Sequence, residues 1–435
     1  MNVGFVSLGC TKNLIDTEMA IGLFKNNNYK IVNNVEDAEI IVINTCGFIE
    51  AAKEEAINTI LEMAEYKETG KCKYLIVIGC LVQRYKKELQ KAIPEVDLFL
   101  SIDEYEEFWK QIELLIKNRE ENLTQKMEYL DRVITTGKTT TYLKIAEGCS
   151  NRCTYCAIPY IRGPFISRPF EDVIEEAKKL AKEGYKEIIV IAQDTTKYGI
   201  DLYGKSRFAE LLEELAKIKE FKWIRFLYAY PESITDELIQ VVKNNRNLCR
   251  YFDIPIQHIS DKVLKRMNRK TTGKDIEDII EKIKTELPDA VLRTSLIVGF
   301  PGETEEDFEK LENFVSKAKF DKLGVFTYSK EEGTPAAKLP EQIHYKTKQK
   351  RYNKIMEIAQ KTSREKLEKT LGKDYEVLIE AKTFDDKYYI GRTYMDIPNE
   401  DGVVFVKNTK QIQEGTWAKC KIIDIKEYDL IGEIH

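Results

Sequence analysis

Histidine is scarce in this chain, with three in 435 residues, and none stands near its densest group of cysteines. No apolar run approaches the roughly 20 residues that cross a bilayer; the longest lies near Tyr74 to Val82. Met1 to Cys10 has no basic segment ahead of its short apolar run, so it reads as a first strand rather than a signal peptide. The expected location is therefore the cytoplasm, with no membrane partner. A basic excess is missing too: the formal net charge is -5, which argues against a general polyanion binder while leaving room for a local basic path. Internal repeats and low-complexity tracts are absent, and the ordinary apolar content with high charge describes a globular protein with ample core.

What the chain does have is nine cysteines, which in a reducing compartment point to metal rather than to disulfides. Cys149, Cys153 and Cys156 lie four and then three positions apart in Glu147-Gly148-Cys149-Ser150-Asn151-Arg152-Cys153-Thr154-Tyr155-Cys156, directly after an apolar run. Three thiolates that close can hold one metal centre. A closed zinc site wants four ligands, usually as two pairs, and neither a second pair nor a nearby histidine completes a tetrahedron. Iron–sulfur clusters are held by cysteine thiolates in short loops. Three ligands on a four-iron cluster leave one iron open to substrate or cofactor.

Ahead of this motif, short apolar runs alternate with amphipathic patterns. Val3 to Leu8, Glu39 to Asn44 and Tyr74 to Ile78 read as buried strands, and Leu14 to Lys25, Ala51 to Glu65 and Val82 to Ala92 as helices. The alternation implies a doubly wound parallel sheet. Cys10, Cys46 and Cys80 each directly follow one of these strands, at the sheet edge where ligands of open α/β folds bind. They read as the three ligands of a second cluster, again with an open iron. Cys72, Cys249 and Cys420 read as bystanders in apolar or flanking contexts. A charged helical pattern from Asp103 to about Asn122 leads to a polar connection, with a first domain expected over residues 1–120.

From Thr141 to about Lys338 the strand-then-helix order repeats. Strands are expected at Tyr142 to Ala146, Glu187 to Ala192, Trp223 to Ala229, Tyr251 to Ile256, Val291 to Val298 and Lys322 to Ser329. Right-handed crossovers would curl six such units into a partial barrel, a core domain over 135–365. Gln193, Gln257 and Gly299 follow strands on the edge that carries the cysteine loop; His258 there reads as structural. A charged connecting helix from Thr347 to Lys369 precedes five short strands with Gly and Asn turns, which suggest a small antiparallel β-barrel over 367–435.

The CxxxCxxC spacing, with an aromatic before its last cysteine, resembles that of the radical S-adenosylmethionine (SAM) superfamily. With a three-cysteine α/β domain before it and a TRAM-like barrel after it, nearly the whole chain resembles the methylthiotransferase family of those enzymes. Ser7 to Asp16, Cys156 to Gly163, Ala192 to Thr196, Tyr228 to Glu232, Asp253 to Ser260 and Tyr428 to Gly432 resemble the RimO-type branch, which modifies a ribosomal protein, more than the branch that modifies an adenosine in tRNA.

The resemblance implies two 4Fe-4S clusters. SAM would sit on the Cys149, Cys153 and Cys156 cluster and yield a deoxyadenosyl radical, and sulfur would be presented on the Cys10, Cys46 and Cys80 cluster. A second SAM would give the methyl group, and the product would be a methylthio-aspartate, modified at its beta carbon, on small-subunit ribosomal protein twelve. An electron donor is implied as a further partner. It places Tyr155 against adenine, with Gln193, Gln257 and Gly299 as further SAM contacts, and assigns no catalytic residue beyond the cluster ligands. Charge points the same way, because Leu367 to His435 carries 10 Lys and Arg against 14 Asp and Glu. An RNA-binding module would carry the opposite excess, whereas an acidic one suits a basic ribosomal protein or ribosomal particle. Transfer RNA as substrate, and a non-catalytic iron–sulfur protein that binds the ribosome, are the alternatives.

Overall fold

A computed structural model describes residues 1–117, 125–408 and 411–434. The end of the helical pattern expected to reach Asn122, and with it the edge placed at residue 120, lie outside the described residues. The first 117 residues form a five-stranded parallel sheet in the order β2-β1-β3-β4-β5. The strands are β1 (Asn2–Ser7), β2 (Lys30–Val32), β3 (Ile40–Thr45), β4 (Tyr74–Gly79) and β5 (Leu98–Leu100). All six residues of β3 are buried because helices cover both faces. Ile41, Ile43, Leu75 and Val77 pack on the helix Glu50–Ala64 and on Leu89 of the helix Cys80–Ala92. Val42, Ile40, Ile76 and Ile78 pack instead on helix α1 (Thr11–Asn26) and on Phe108, Trp109 and Ile112 of the helix Phe108–Lys117. The sheet is doubly wound, as the sequence implied. Its edge strands β2 and β5 are three residues each, too short to show a period in the sequence.

Six parallel strands follow: β6 (Thr140–Lys144), β9 (Glu187–Ile191), β10 (Trp223–Phe226), β11 (Tyr251–Asp253), β12 (Val291–Val298) and β13 (Lys322–Thr327). They form two three-stranded sheets, β10-β9-β6 and β11-β12-β13. A parallel bridge between Ile224 and Leu248 and the bond from Ala229 N to Asp253 O join these at β10 and β11. The result is the expected partial barrel. Between β6 and β9, a two-residue hairpin of β7 (Ala146–Glu147) and β8 (Ile166–Ser167) brackets the cysteine loop.

The outer face of the partial barrel packs on its own helices. Its inner face is filled from elsewhere: Ile15 and Met19 of α1 and Leu378 and Ile397 of the C-terminal region meet Tyr142, Ile189, Ile191, Trp223 and Tyr251. The N-terminal and C-terminal units therefore both plug the concave side of the central one.

The C-terminal unit is a closed barrel in the order β14-β15-β16-β18-β17. Its strands are β14 (Asp374–Lys382), β15 (Tyr388–Arg392), β16 (Val404–Lys407), β17 (Trp417–Ile425) and β18 (Leu430–Ile434). Four pairings are antiparallel, but β16 and β18 run parallel. The fully antiparallel barrel expected from the strand count is corrected in this one pairing. Five strands cannot alternate in direction around a closed ring, so one pair must run the same way.

A buried ion group docks this barrel. Glu187 meets Arg392 at 2.7 Å and Arg225 at 2.5 Å, all three nearly inaccessible. Burial alone would raise the Glu187 carboxyl, but the two guanidiniums hold it at about 2. A carboxyl depressed from 4.5 to about 2 contributes stability above the first value and loses it as pH falls through the second. In Glu187→Gln the stability deficit against the parent chain should accordingly shrink as pH drops from 4.5 toward 2, as read by urea unfolding at stepped pH.

Candidate active site

The first cysteine trio is set by three adjacent strands. Ser7 pairs with Asn44 and Thr45 with Gly79, so the chain leaves β1, β3 and β4 at nearly one level. Cys10 then caps α1, Cys46 follows β3 directly, and Cys80 opens the helix Cys80–Ala92. Asn13, fully buried on α1, ties these ends together. Its amide donates to Leu8 O at 3.1 Å and Thr45 O at 3.0 Å, while its carbonyl oxygen accepts from the Cys80 thiol at 3.4 Å and from Arg162.

Gly9 makes the close approach possible: its φ is +86°, and a Cβ there would stand 2.6 Å from Cys46 Cβ. Gly9→Ala should therefore cost roughly 1–2 kcal/mol in backbone strain alone and displace Cys46. A thermal melt and iron content after reconstitution would show both effects.

The second trio lies in the loop between β7 and β8. Cys149 N donates to Gly163 O at 3.1 Å and Cys156 N to Cys153 O at 3.0 Å. Thr154 is held from both sides, its N donating to Met267 O at 3.0 Å and its hydroxyl to Arg266 O at 2.8 Å. At the end of β9, Asp194 accepts from Asn151 at 2.8 Å. Cys10 and Cys46 are electrostatic neighbours of Cys80, and Cys149 and Cys153 of Cys156, while Cys72, Cys249 and Cys420 lie in apolar cores.

The two groups are neighbours. The helix Ile158–Ile161 starts two residues after Cys156, and its Ala157 and Ile161 flank Cys80. Arg162 ends this helix against the first trio. Its Nη2 reaches Asp16 of α1 at 2.8 Å and its Nη1 reaches Glu147 at 2.9 Å. Lys144 completes the group, 2.6 Å from Asp16 and 3.0 Å from Glu147. Burial opposes charge on Glu147, yet the two cations hold its carboxyl at about 2.

Burial pushes the Cys80 and Cys156 thiols up to about 12 and raises those of Cys46 and Cys149. These thiols stay protonated until a cation claims them, as coordinating metal does. Arg162 pulls the other way on Cys46 and Cys80.

Among the described residues, no three His, Cys, Asp or Glu side chains close on a point as a single metal ion requires. Each trio offers cysteine thiols alone, the donors that hold iron–sulfur clusters, so the chemistry of the donor set fits that group. A second observation fits a bound anion beside the loop. Arg269 is nine-tenths buried near Tyr155 and Cys153, its guanidinium 4.3 Å from the Tyr230 ring. Among the described residues only Nη2 bonds, to Pro255 O at 3.0 Å, while Nε and Nη1 have no hydrogen-bond partner there.

The four expected SAM contacts divide. Tyr155 lies beside Cys153 and Arg269, and Gln193 stands next to Asp194 at the end of β9. Gln257 sits at φ +70° at the carboxyl end of β11 and bonds to β12 through Ser295 O and Ile297 N. Gly299, at φ +71°, has an internal reason for its identity: a Cβ would meet Lys348 Cγ at 2.3 Å. His258 is buried, with Nδ1 accepting from Ser260 N at 3.0 Å, and burial lowers it to about 3, so it stays neutral.

Family comparison agrees with this arrangement. Residues 143–315 match the radical SAM superfamily, residues 2–101 the uncharacterized protein family UPF0004, and residues 371–434 the TRAM domain. A protein of Alkaliphilus oremlandii (strain OhILAs), named ribosomal protein uS12 methylthiotransferase RimO, is 64% identical over 100% of this chain and 99% of its own length. The chain belongs to the RimO methylthiotransferase family. A relative of the same name from Clostridioides difficile (strain 630) is 52% identical, over 100% of this chain and 99% of its own.

Among solved structures, the radical SAM methyltransferase TsrM from Kitasatospora setae superposes with a TM-score of 0.58 at 11% identity, over 77% of this chain and 73% of its own. That likeness concerns the fold alone. Family membership makes this chain a methylthiotransferase that uses SAM and an iron–sulfur cluster. Among the described residues, no helix is long and apolar enough to cross a membrane.

Proposed function

We propose that this chain inserts a methylthio group at the beta carbon of an aspartate in ribosomal protein uS12, with two neighbouring 4Fe-4S clusters. The observation that carries the reading is the pair of cysteine trios joined through residues 156–162, with Arg162 among the first trio's neighbours and Cys156 in the second. Bound there, the clusters and SAM supply the radical that removes hydrogen from an unactivated carbon, and the sulfur and methyl group that replace it.

The chain's own residues do the rest. Cys149, Cys153 and Cys156 hold one cluster, and Cys10, Cys46 and Cys80 the other. Arg162 offsets the negative charge that thiolates at Cys46 and the buried Cys80 bring. Arg269 offers two free N–H donors to a carboxylate of SAM, a charge-assisted bond of the stronger kind. Tyr155 lines that position, with Gln193, Gln257 and the Gly299 backbone on the same edge. α1 and the C-terminal barrel close the concave side of the partial barrel, which keeps water from a radical site.

Substrate choice rests on the names of the relatives and on the acidic C-terminal unit. Part of that acidity is turned inward, on Glu380, Asp396, Glu400 and Asp401, toward Arg392, Lys322 and Arg293. The remaining acidic groups suit a basic ribosomal protein in the cytoplasm. The test is anaerobic turnover with SAM and a reductant, with uS12 in one tube and tRNA in another, followed by mass spectrometry. A methylthio gain on a uS12 aspartate alone supports the reading; modified adenosine in the tRNA tube overturns it.

A further inference from the structure

Lys12 is nearly inaccessible, 4% exposed, on the first turn of α1 where that helix enters the partial barrel. It stands two residues from Cys10. Its ammonium lies 3.3 Å from the centroid of the Tyr228 ring, and among the described residues it makes neither a hydrogen bond nor an ion pair. A buried lysine without a counter-ion is costly and needs a reason.

Cys10 is the first electrostatic neighbour of Lys12, and two carboxylates also lie within reach, Asp253 and Glu400, but both carboxylates are already claimed. Arg293 pairs with Asp253 at 3.0 Å and with Glu400, and Asp253 also accepts from Tyr228 N at 2.9 Å. The ring beneath Lys12 is itself held at a cost. Tyr228 has φ +61°, the left-handed region that a bulky side chain seldom enters. Thr195 N donates to its carbonyl at 3.2 Å, and Asp253 fixes its N–H. Two residues on, Tyr230 carries the other bare cation, Arg269. One short loop thus presents two aromatic faces, each under a buried cation that lacks a carboxylate, one beside each cysteine trio.

We propose that Lys12 is the receptor for a carboxylate of the substrate protein. On the reading that uS12 is that substrate, which this inference rests on, the ligand is the side chain of the target aspartate. A carboxylate at Lys12 gives the ammonium the direct ion-pair partner it lacks among the described residues, as one at Arg269 fills that guanidinium's two open N–H groups. An ammonium beside Cys10, as Arg269 stands beside Cys153, holds the aspartate by the group next to its reacting carbon. Lys12 also rejects an amide in that place, since asparagine brings no charge to a desolvated cation.

The experiment is direct binding under anaerobic conditions. Labelled uS12 and its target Asp→Asn form are titrated with reconstituted parent chain, Lys12→Gln and Lys12→Arg, with iron content as the check on folding. The parent chain should bind the aspartate form at least about tenfold more tightly than the asparagine form, a difference of about 1.4 kcal/mol. Lys12→Gln should bind the two alike, and Lys12→Arg should restore most of the preference. Equal affinity of the parent chain for both forms overturns the inference, whatever the variants do. So does a preference that survives unchanged in Lys12→Gln, which would leave Lys12 a packing residue. Failure of the parent chain to modify uS12 at all is a separate result and removes the substrate reading itself.

Discussion

Cys153→Ala should abolish both SAM cleavage and methylthiolation, whereas Cys10→Ala, Cys46→Ala and Cys80→Ala should spare the first and abolish the second. The division follows from where the two trios stand. Cys149, Cys153 and Cys156 share their loop with Tyr155 and lie beside the unpartnered guanidinium of Arg269, so the pieces that would seat SAM belong to that trio alone. The first trio is built by Asn13 and the ends of β1, β3 and β4, and meets that loop only beyond its cysteines, through Ala157, Ile161 and Arg162. Each lost activity should fall by more than about 100-fold, the upper end of what losing a hydrogen-bond partner behind a ligand costs. Chromatography of deoxyadenosine and mass spectrometry of uS12 measure the two activities separately. Equal loss of both in all four variants, with the fold intact, would refute the division.

Arg162→Ala should cost on the order of 3–5 kcal/mol, as breaking a buried ion pair does. Its guanidinium serves Asp16, Glu147 and Asn13 at once, and its side chain is 1% exposed. Without it, two carboxylates share the single ammonium of Lys144, and the Asn13 carbonyl oxygen keeps only the Cys80 thiol. Arg162→Lys should recover only part of the loss, because an ammonium cannot reproduce a planar fork across three acceptors. Denaturant unfolding of the metal-free chain reads the stability, and iron content after reconstitution reads the first trio. Stability within about 1 kcal/mol of the parent chain, the ordinary worth of an exposed pair, would show the network to be dispensable.

The cysteines were legible because their signal is local: CxxxCxxC in one loop, and one cysteine at the end of each of three apolar runs. The strands were legible for the same reason, since β3 and most of β9 read as apolar runs of strand length. The network around Arg162 was not, because Asp16, Lys144, Glu147 and Arg162 come from separate segments and only the fold brings them together. A faint signal existed. Lys144 in Tyr-Leu-Lys-Ile and Arg225 in Trp-Ile-Arg-Phe are charges inside apolar strands, and such charges are seldom buried without a partner. Which partner they take is a matter of topology, as with Glu187 for Arg225. Arg269 and Lys12 were illegible for the opposite reason: what marks them is the lack of a partner, and a sequence cannot show that. Gly299 was read for a ligand's approach, while its packing partner Lys348 lies 49 positions further along the chain, on the long helix Tyr345–Glu368.

The claim that the chain holds two separate clusters is tested most directly by iron content and electron paramagnetic resonance on two triple variants, one lacking Cys149, Cys153 and Cys156 and the other lacking Cys10, Cys46 and Cys80. Each should keep about four irons against about eight in the parent chain, as one or two four-iron clusters hold. Only the second variant should show a signal that SAM perturbs. Loss of all iron in either variant, or a parent chain that binds no more than about four, would contradict the account.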